Sequence, residues 1–467
     1  VWYNLRMESD EMKKNIFREY DIRGKYIEEI TDEDAYIIGK SYGSYIQEKL
    51  EKNICGVGRD NRLSSPNLAR NLIQGIIDSG CNVIDFGLVT TPMYYYACLK
   101  TNVIIGIMVT ASHNPKDDNG FKFSFDNLGN ARGNQVYDFR DYTLAGKFLD
   151  GKGQLTSFEV YDYYKSFIKE HIDMGTRKVK VVLDCGNGTT SLFAKDIYSQ
   201  FANLDIKMIC DESDATFPNH HPDPCVEANT EMLKAAVLEN NADIGIAFDG
   251  DGDRVGFIDE NGKYVPADKA MIAFIRYIND KVSNKTYLYD VKCGKALEDE
   301  IIKLGGKPVC FRTGNSYTRA EINKMKYPFG GEFSGHLYFT DKWPGIDSGI
   351  YNGLRMLEIL SHCDKKFSEL FDGINTYYNT PEIKIAVNDD IKFKVVNEVI
   401  DYATSKNYRH LDVDGIRVQF DDGWALVRAS NTGPNLTLRF EANSEQRLQD
   451  LQNEFVSLVK EIINKYI

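Results

Sequence analysis

At 467 residues the chain is too long for one hydrophobic core, and roughly three to four domains follow from length alone. Its 42% hydrophobic and 27% charged composition is that of a folded protein, and a net charge of −13 argues against nucleic acid or an anionic membrane as the main partner. No apolar run approaches the roughly 20 residues of a membrane helix, VWYNLRMESDEMKKN has no apolar signal core, and nine scattered cysteines without a C-x-x-C pair suggest reduced thiols in a cytoplasm.

One pattern recurs along the chain. ICGVGRD leads through SSPNLARNLIQGIIDSG to CNVIDFG, KVKVVLDCGNG through TTSLFAKDIYSQFA to LDIKMIC, and TYLYDVKCG through KALEDEIIKLGG to KPVCFRTG. Each is an apolar strand, a polar or glycine-bearing loop, an amphipathic helical stretch and a second strand. That is a repeated βαβ unit, which predicts parallel strands covered by helices in three similar α/β domains. After the first unit, Ile104 to Val109 read as a buried strand that opens into Ser112, His113, Asn114 and Pro115. Between the second and third units the run His220-His221 stands out in a chain with seven histidines. The C-terminal part differs: GIRVQFDDGWALVRAS reads as strand, Asp-Gly turn, strand; NLTLRFEA is another strand; and SEQRLQDLQNEFVSLVKEIINKYI is a helix capped by Ser444. Boundaries fall near Gly151–Ser157, after Glu260 and near Asn379–Glu382. The predicted division is 1–156, 157–262, 263–378 and a smaller α+β domain, 379–467.

The strongest chemical signal is ADIGIAFDGDGDRVGFID, residues 242–259. Asp249, Asp251 and Asp253 alternate with glycines between two apolar strands. In a near-extended backbone alternate side chains share a face, so three carboxylates converge and call for a cation; oxygen ligands suit Mg²⁺ or Ca²⁺. A solvated acidic turn is the plainer reading. An EF-hand would need Gly where Arg254 stands and helices where these flanks alternate like strands. A phosphatase with an Asp nucleophile stays open from the loop alone. Three carboxylates leave Mg²⁺ short of ligands, and a phosphorylated Ser112 would complete the shell; the alternative for Ser112 is a loop serine bonded to its own backbone.

TASHNP (110–115), DGDGDR (249–254), GEFSGH (331–336) and RASNTGP (428–434), in that order, resemble the α-D-phosphohexomutases, and FREYDIRG (17–24), HHPDP (220–224) and DVKC (290–293) point to the phosphomannomutase/phosphoglucomutase branch. The resemblance covers nearly the whole chain. It implies three α/β domains with mixed sheets and a C-terminal α+β domain around a central cleft. It further implies that Ser112 is the phosphoserine and, with Asp249, Asp251 and Asp253, a Mg²⁺ ligand. Lys122, Arg23, Arg254 and His336 would be the catalytic cations and proton carriers. Tyr20, His113, Asn114, Lys292, Asn315, Glu332, Ser334 and His336 would contact the sugar phosphate, with Glu332 and Ser334 gripping hydroxyls. Arg428, Ser430, Asn431, Thr432 and Gly433 would hold the distal phosphate. Three positions depart from the pattern: Asn315 stands where relatives carry His, Phe333 where Met is common, and Gly294-Lys295 where arginine is frequent.

The expected activity interconverts hexose 1-phosphate and 6-phosphate, of mannose or glucose, through a phosphoserine enzyme and a bisphosphorylated sugar, with Mg²⁺ and a hexose 1,6-bisphosphate activator. A monomer or weak dimer acting on small molecules, with no nucleic acid or membrane partner, is expected. The rivals are a phosphoglucosamine mutase, a sugar-phosphate phosphatase and a non-catalytic sugar-phosphate sensor.

Overall fold

The computed structural model describes residues 14–430 and 433–466. The first sheet holds β1 (Ile22–Lys25), β2 (Ile54–Arg59), β3 (Asn82–Leu88), β4 (Gly106–Val109), β5 (Asp118–Ser124) and β6 (Leu155–Ser157), in the order β1-β5-β4-β2-β3-β6. The second holds β7 (Val179–Asp184), β8 (Leu204–Ile209), β9 (Ile244–Phe248), β10 (Val255–Asp259) and β11 (Tyr264–Val265), ordered β11-β10-β9-β7-β8. The third holds β12 (Thr286–Asp290), β13 (Lys307–Phe311), β14 (Phe329–Gly331) and β15 (Leu337–Phe339), ordered β13-β12-β14-β15.

These sheets share one plan, as the repeat predicts. In each, the first strand of the unit pairs in parallel with the second and third, and the strand that follows the third runs antiparallel beside it. The sheets are therefore mixed, with a parallel centre. β7 and β9 are almost wholly buried, as parallel strands covered on both faces must be. The plan decides where chemistry collects. The connections β4–β5, β9–β10 and β14–β15 are the same loop in three copies, and they carry Ser112, the three aspartates, and Glu332 to His336 respectively.

The fourth sheet is antiparallel: β16 (Tyr378–Asn379), β17 (Ile383–Ala386), β18 (His410–Leu411), β19 (Ile416–Phe420), β20 (Gly423–Ala429) and β21 (Asn435–Ala442). The helix Glu445–Asn464 follows, with the Ser444 side chain accepting from Arg447 N. The hairpin turn is Asp421-Asp422 rather than Asp-Gly; Gly423 already pairs with Ala442, where a Cβ would lie 2.3 Å from Glu441 O.

Several expected limits move. The strand before Ser112 starts at Gly106, because Ile104 is exposed. β6 runs to Ser157 in the first sheet, Tyr264–Val265 belong to the second, and Tyr378 is already in the fourth. Backbone pairing, invisible to composition, sets these edges. The domains pack tightly. The helix Gly349–Ser361 is buried at all 13 positions, between the second and third sheets, with Arg355 held by Asp341 at 2.7 Å and Glu358 accepting from Tyr277 Oη at 3.0 Å. No described helix is long and apolar enough to cross a membrane.

Candidate active site

A cleft of about 940 Å³ is lined by residues from all four domains. Its lining carries eight Lys and Arg, among them Arg23, Lys122, Arg254, Lys292 and Arg428, against seven Asp and Glu, so the cleft offers several cations to an anionic group while staying near neutral as a whole.

Ser112 stands on the β4–β5 loop in left-handed backbone, φ 53°, uncommon for a residue with a Cβ. The conformation is pinned. Ser112 N donates to Thr110 Oγ1 at 2.9 Å. The fully buried Arg62 guanidinium donates to the carbonyls of Ser112 (2.8 Å), Asn114 (2.7 Å), Pro115 (2.6 Å) and Asp118 (3.0 Å). Gly250 permits the approach of the acidic loop, since a Cβ there would meet Ser112 O at 2.6 Å. Ser112 Oγ then donates to Asp249 Oδ2 at 3.0 Å, and His113 Nδ1 is 3.3 Å away.

The acidic loop is a turn, not the expected extended segment. Gly252 N bonds back to Asp249 O, Gly252 has φ +79°, and Asp249 Oδ1 accepts from Gly252 N (3.0 Å) and Arg254 N (3.1 Å). Backbone N–H groups inside the loop win over extension. The three carboxylates converge all the same, with ligand oxygens within 4.8 Å of one another and no exposure. Lys122, on β5, donates to Asp251 Oδ2 at 2.7 Å and Asp253 Oδ2 at 2.5 Å. Thr91 Oγ1 donates to Asp251 Oδ2 at 2.6 Å. The other oxygens, Asp251 Oδ1 and Asp253 Oδ1, are buried without a hydrogen-bond partner. Two orphaned carboxylate oxygens beside a third carboxylate fit a hard divalent cation such as Mg²⁺.

The charges are strongly tuned. Burial opposes the Lys122 charge, but Asp251 and Asp253 hold its ammonium well above the ordinary lysine range. Burial, then Asp253 and Asp251, push Asp249 well up. Burial, then Arg254 and Arg23, drive His113 well below the usual imidazole range, so it is neutral at pH 7. His336 Nε2 accepts from Arg254 Nε at 3.1 Å, so Nδ1 carries the proton and donates to Asp347 Oδ2 at 2.9 Å.

Across the cleft, Glu332 is buried and fixed: Oε1 accepts from Gly314 N (3.1 Å) and Thr318 Oγ1 (2.5 Å), and Oε2 from Ser334 Oγ (3.0 Å). Asn315 opens the helix Asn315–Met325, and Tyr20 packs on Gly314. Arg23 donates to Asn114 Oδ1 at 2.7 Å and pairs with Asp21 at 2.6 Å. Lys292 lies 3.2 Å from Glu382. Arg428, at the end of β20, pairs with Asp414 at 2.9 Å, and Lys392 donates to Ser430 O at 2.8 Å and Gly433 O at 3.5 Å. Asn431 and Thr432 lie outside the described residues.

The structure thus gathers Tyr20, Arg23, Ser112, His113, Asn114, Lys122, Arg254, Lys292, Asn315, Glu332, Ser334, His336, Arg428 and Ser430 on one cavity, with the aspartates under its floor. Sequence reading missed Arg62, Thr91, Asp347, Asp414 and Glu382. Arg62 had a signal: an Arg in the loop after the first strand of a unit, where the strand ends of parallel sheets collect ligands.

Four family models match in chain order: phosphoglucomutase/phosphomannomutase alpha/beta/alpha domain I over residues 14–138, domain II over 162–262, domain III over 266–377, and the C-terminal domain over 382–458. A phosphomannomutase/phosphoglucomutase of Pseudomonas syringae pv. tomato is 41% identical over 449 residues, covering 96% of this chain and 95% of that one. A phosphoglucomutase of Neisseria meningitidis is 36% identical over 453 residues, covering 96% and 97%. The crystal structure of a phosphoglucomutase/phosphomannomutase family protein from Burkholderia thailandensis superposes with a TM-score of 0.90 at 33% identity, covering 97% and 98%.

Proposed function

The chain belongs to the phosphoglucomutase/phosphomannomutase family of α-D-phosphohexomutases, and we propose that it interconverts hexose 1-phosphate and hexose 6-phosphate, of mannose and glucose, with Ser112 as the phosphoryl carrier. The observation that carries this reading is Ser112 Oγ set 3.0 Å from Asp249, beside two orphaned carboxylate oxygens and on a cleft that Arg23, Lys122, Arg254, Lys292 and Arg428 line.

Asp249, Asp251, Asp253 and phosphorylated Ser112 would hold Mg²⁺, which when bound neutralises charge at the phosphoserine. The remaining work belongs to the side chains. A sugar hydroxyl attacks the phosphorus, the bond to Ser112 Oγ breaks, and the hydroxyl proton passes to a nearby base. Of the three groups expected to move that proton, His336 offers an unprotonated nitrogen, whereas Lys122, its ammonium held by Asp251 and Asp253, and Arg23 serve as donors and charge partners. His336 stands in the tautomer whose Nε2 accepts, held by Asp347. Arg254 and Lys122 offset the negative charge that spreads over the phosphoryl oxygens in flight. Glu332 and Ser334 accept from and donate to the sugar hydroxyls. Arg428, Ser430, Asn431, Thr432 and Gly433 receive the phosphate that is not reacting, with Tyr20, His113, Asn114, Lys292 and Asn315 completing the contacts. The bisphosphate then turns end for end and returns its other phosphoryl group to Ser112, and hexose 1,6-bisphosphate recharges enzyme that has lost its phosphate.

The cleft draws its lining from one chain, in keeping with a monomer or weak dimer acting on small molecules, and the net charge of −13 argues against nucleic acid or an anionic membrane as the main partner. Nine free cysteines, six of them buried, suit a cytoplasmic setting. The decisive experiment is turnover of glucose, mannose and glucosamine 1-phosphates with a bisphosphate activator, alongside peptide mass spectrometry. The reading requires mutase products and one phosphoryl group at Ser112. Net phosphate release would favour the phosphatase, glucosamine preference the glucosamine mutase, and binding without turnover the sensor.

A further inference from the structure

The second α/β domain carries a cluster that phosphoryl transfer does not use. Asp184 ends β7, Cys210 follows the last residue of β8, and His220 comes from the connection beyond it. All three gather at the carboxyl ends of adjacent parallel strands, the edge where α/β sheets place ligands. A carboxylate oxygen, a thiol sulfur and an imidazole nitrogen lie within 4.8 Å of one another. The Asp184 side chain is 1% exposed and that of His220 14%. Cys210 is held in left-handed backbone at φ 47°, with its carbonyl accepting from Asn187 N at 2.9 Å.

The histidine gives the second observation. Its Nδ1 is 3.0 Å from the His221 carbonyl oxygen, which only accepts, so Nδ1 bears a hydrogen. Its Nε2 is 3.1 Å from both oxygens of Asp184. In the neutral ring Nε2 presents a lone pair, and a lone pair facing a buried carboxylate repels. A positive charge must fill that gap, either a proton or a metal ion. Donation of the second ring N–H to a carbonyl is the usual way a metal-ligating histidine is oriented. One carboxylate, one imidazole and one thiol make three protein ligands with a fourth position open, and the sulfur selects Zn²⁺ over Mg²⁺.

We propose that Asp184, Cys210 and His220 form a second metal site, for Zn²⁺ or a similar borderline-soft divalent cation, separate from the acidic loop. Binding exchanges the proton on Nε2 and the thiol proton on Sγ for the metal, so two protons leave as one ion enters. The site bears on the active site through one short loop. Beyond Asp184 the chain runs through Asn187, whose carbonyl accepts from Asn61 of the first domain at 3.0 Å, to Thr189, whose N–H donates to Gly250 O at 2.9 Å. A metal on Asp184 would brace the segment that supports both the acidic loop and the contact between the first two domains.

The test is a titration of the reduced full-length chain with Co²⁺ alone in buffer saturated with Mg²⁺. One equivalent should produce a sulfur-to-cobalt charge-transfer band in the near ultraviolet and four-coordinate d–d bands, and Zn²⁺ should bleach both. Cys210→Ser should abolish the charge-transfer band, and His220→Gln should weaken cobalt binding at least tenfold; Asp251→Asn should leave the bands intact. Circular dichroism certifies folding of each variant, and should Cys210→Ser fail to fold, His220→Gln decides. Absence of the band in folded wild-type protein overturns the proposal, as does a band that survives in His220→Gln with unchanged affinity.

Discussion

The Arg62 guanidinium donates to the Ser112 carbonyl at 2.8 Å and to three further carbonyls of the same loop, so a buried cation from the β2 side holds the strained backbone of the proposed phosphoryl carrier. Lysine keeps the charge but not the planar fork that reaches four acceptors. Arg62→Lys should therefore lose the equivalent of one charge-assisted bond, roughly 1.5–3 kcal/mol. Steady-state kinetics should show kcat down about ten- to a hundredfold with KM little changed, because the loop and not the substrate is loosened. An unchanged kcat would mean the loop holds Ser112 without Arg62.

Asp251 faces three donors through Oδ2, from Lys122, Thr91 and Thr110, and leaves Oδ1 free. Asp251→Asn keeps the shape and the acceptor but removes one charge from the proposed metal site. Magnesium titrations should show a raised requirement, with kcat at saturating metal down by about a hundredfold, near 2.7 kcal/mol. Chelator should abolish wild-type turnover. Full activity in chelator would remove the metal from the reaction.

Glu332 is immobilised before any sugar arrives, by Gly314 N, Thr318 and Ser334. Mannose and glucose differ only at the 2-hydroxyl, and a fixed carboxylate beside a rotatable hydroxyl accommodates either. Comparable kcat/KM is expected for the two 1-phosphates, and Glu332→Gln should lower both by about ten- to a hundredfold, the loss of one hydrogen bond to a charged group. A preference above roughly a hundredfold between the sugars would show a dedicated reader of that hydroxyl, with Asn315 first in line.

How much of this could be read beforehand follows from where the information lies. The three similar units were legible, since each strand and helix writes its period locally; the repeat itself gave only parallel strands, and the mixed sheets were implied by the family resemblance. The acidic loop and the four motif clusters, each contiguous in sequence, were legible too. The shape of the acidic loop was not, because turn hydrogen bonds between Asp249 and its own neighbours outcompete extension. Arg62, Thr91 and Asp347 were missed because their partners lie 50, 160 and 11 residues away. A single-residue signal cannot announce a partner that only the fold supplies. Gly294, a departure from the family pattern, lies against the C-terminal domain: a Cβ there would stand 2.6 Å from Glu441 Oε2.

That contact gives a pH prediction. Glu441 accepts from Lys295 N and Trp424 Nε1, yet burial, with Asp268 adding repulsion, lifts its carboxyl above the ordinary glutamate range. A carboxyl with a raised folded pKa binds its proton more tightly folded than unfolded. Stability is then lost as pH rises from the unfolded value of about 4.5 through the folded one. Glu441→Gln removes the buried charge and keeps an acceptor. Its thermal midpoint relative to wild type should improve from pH 4.5 to pH 8. An equal difference at both pH values would show that Glu441 does not titrate across this interface.

The C-terminal domain should close on the non-reacting phosphate as a lid. Ser112 and the aspartates belong to the first two domains, whereas Arg428 and Ser430 belong to the fourth, and a bisphosphate that must turn end for end cannot stay clamped. The structure holds this domain docked on the third: buried Arg417 donates to the carbonyls of Val291 (2.8 Å) and Cys293 (2.9 Å), Arg439 to that of Lys292, and Asp414 accepts from both Arg428 and Thr313 N. The loop bearing Lys292 is thereby tied to the domain bearing Arg428. The hinge must precede Tyr378, because Tyr378–Asn379 already pairs with β21. Distal binding energy also aligns the reacting hydroxyl, so weakening it should lower kcat as well as raise KM. Arg428→Ala removes one charge-assisted contact, roughly 1.5–3 kcal/mol, and should cut kcat/KM about ten- to a hundredfold. Arg417→Met leaves the phosphate loop intact but unlatches the docking, and should raise KM without altering phosphorylation of Ser112. In small-angle scattering the wild type should compact on adding substrate, and both variants should compact less. If saturating substrate leaves the scattering unchanged and Arg428→Ala keeps wild-type kcat/KM, the fourth domain is a fixed wall and not a lid.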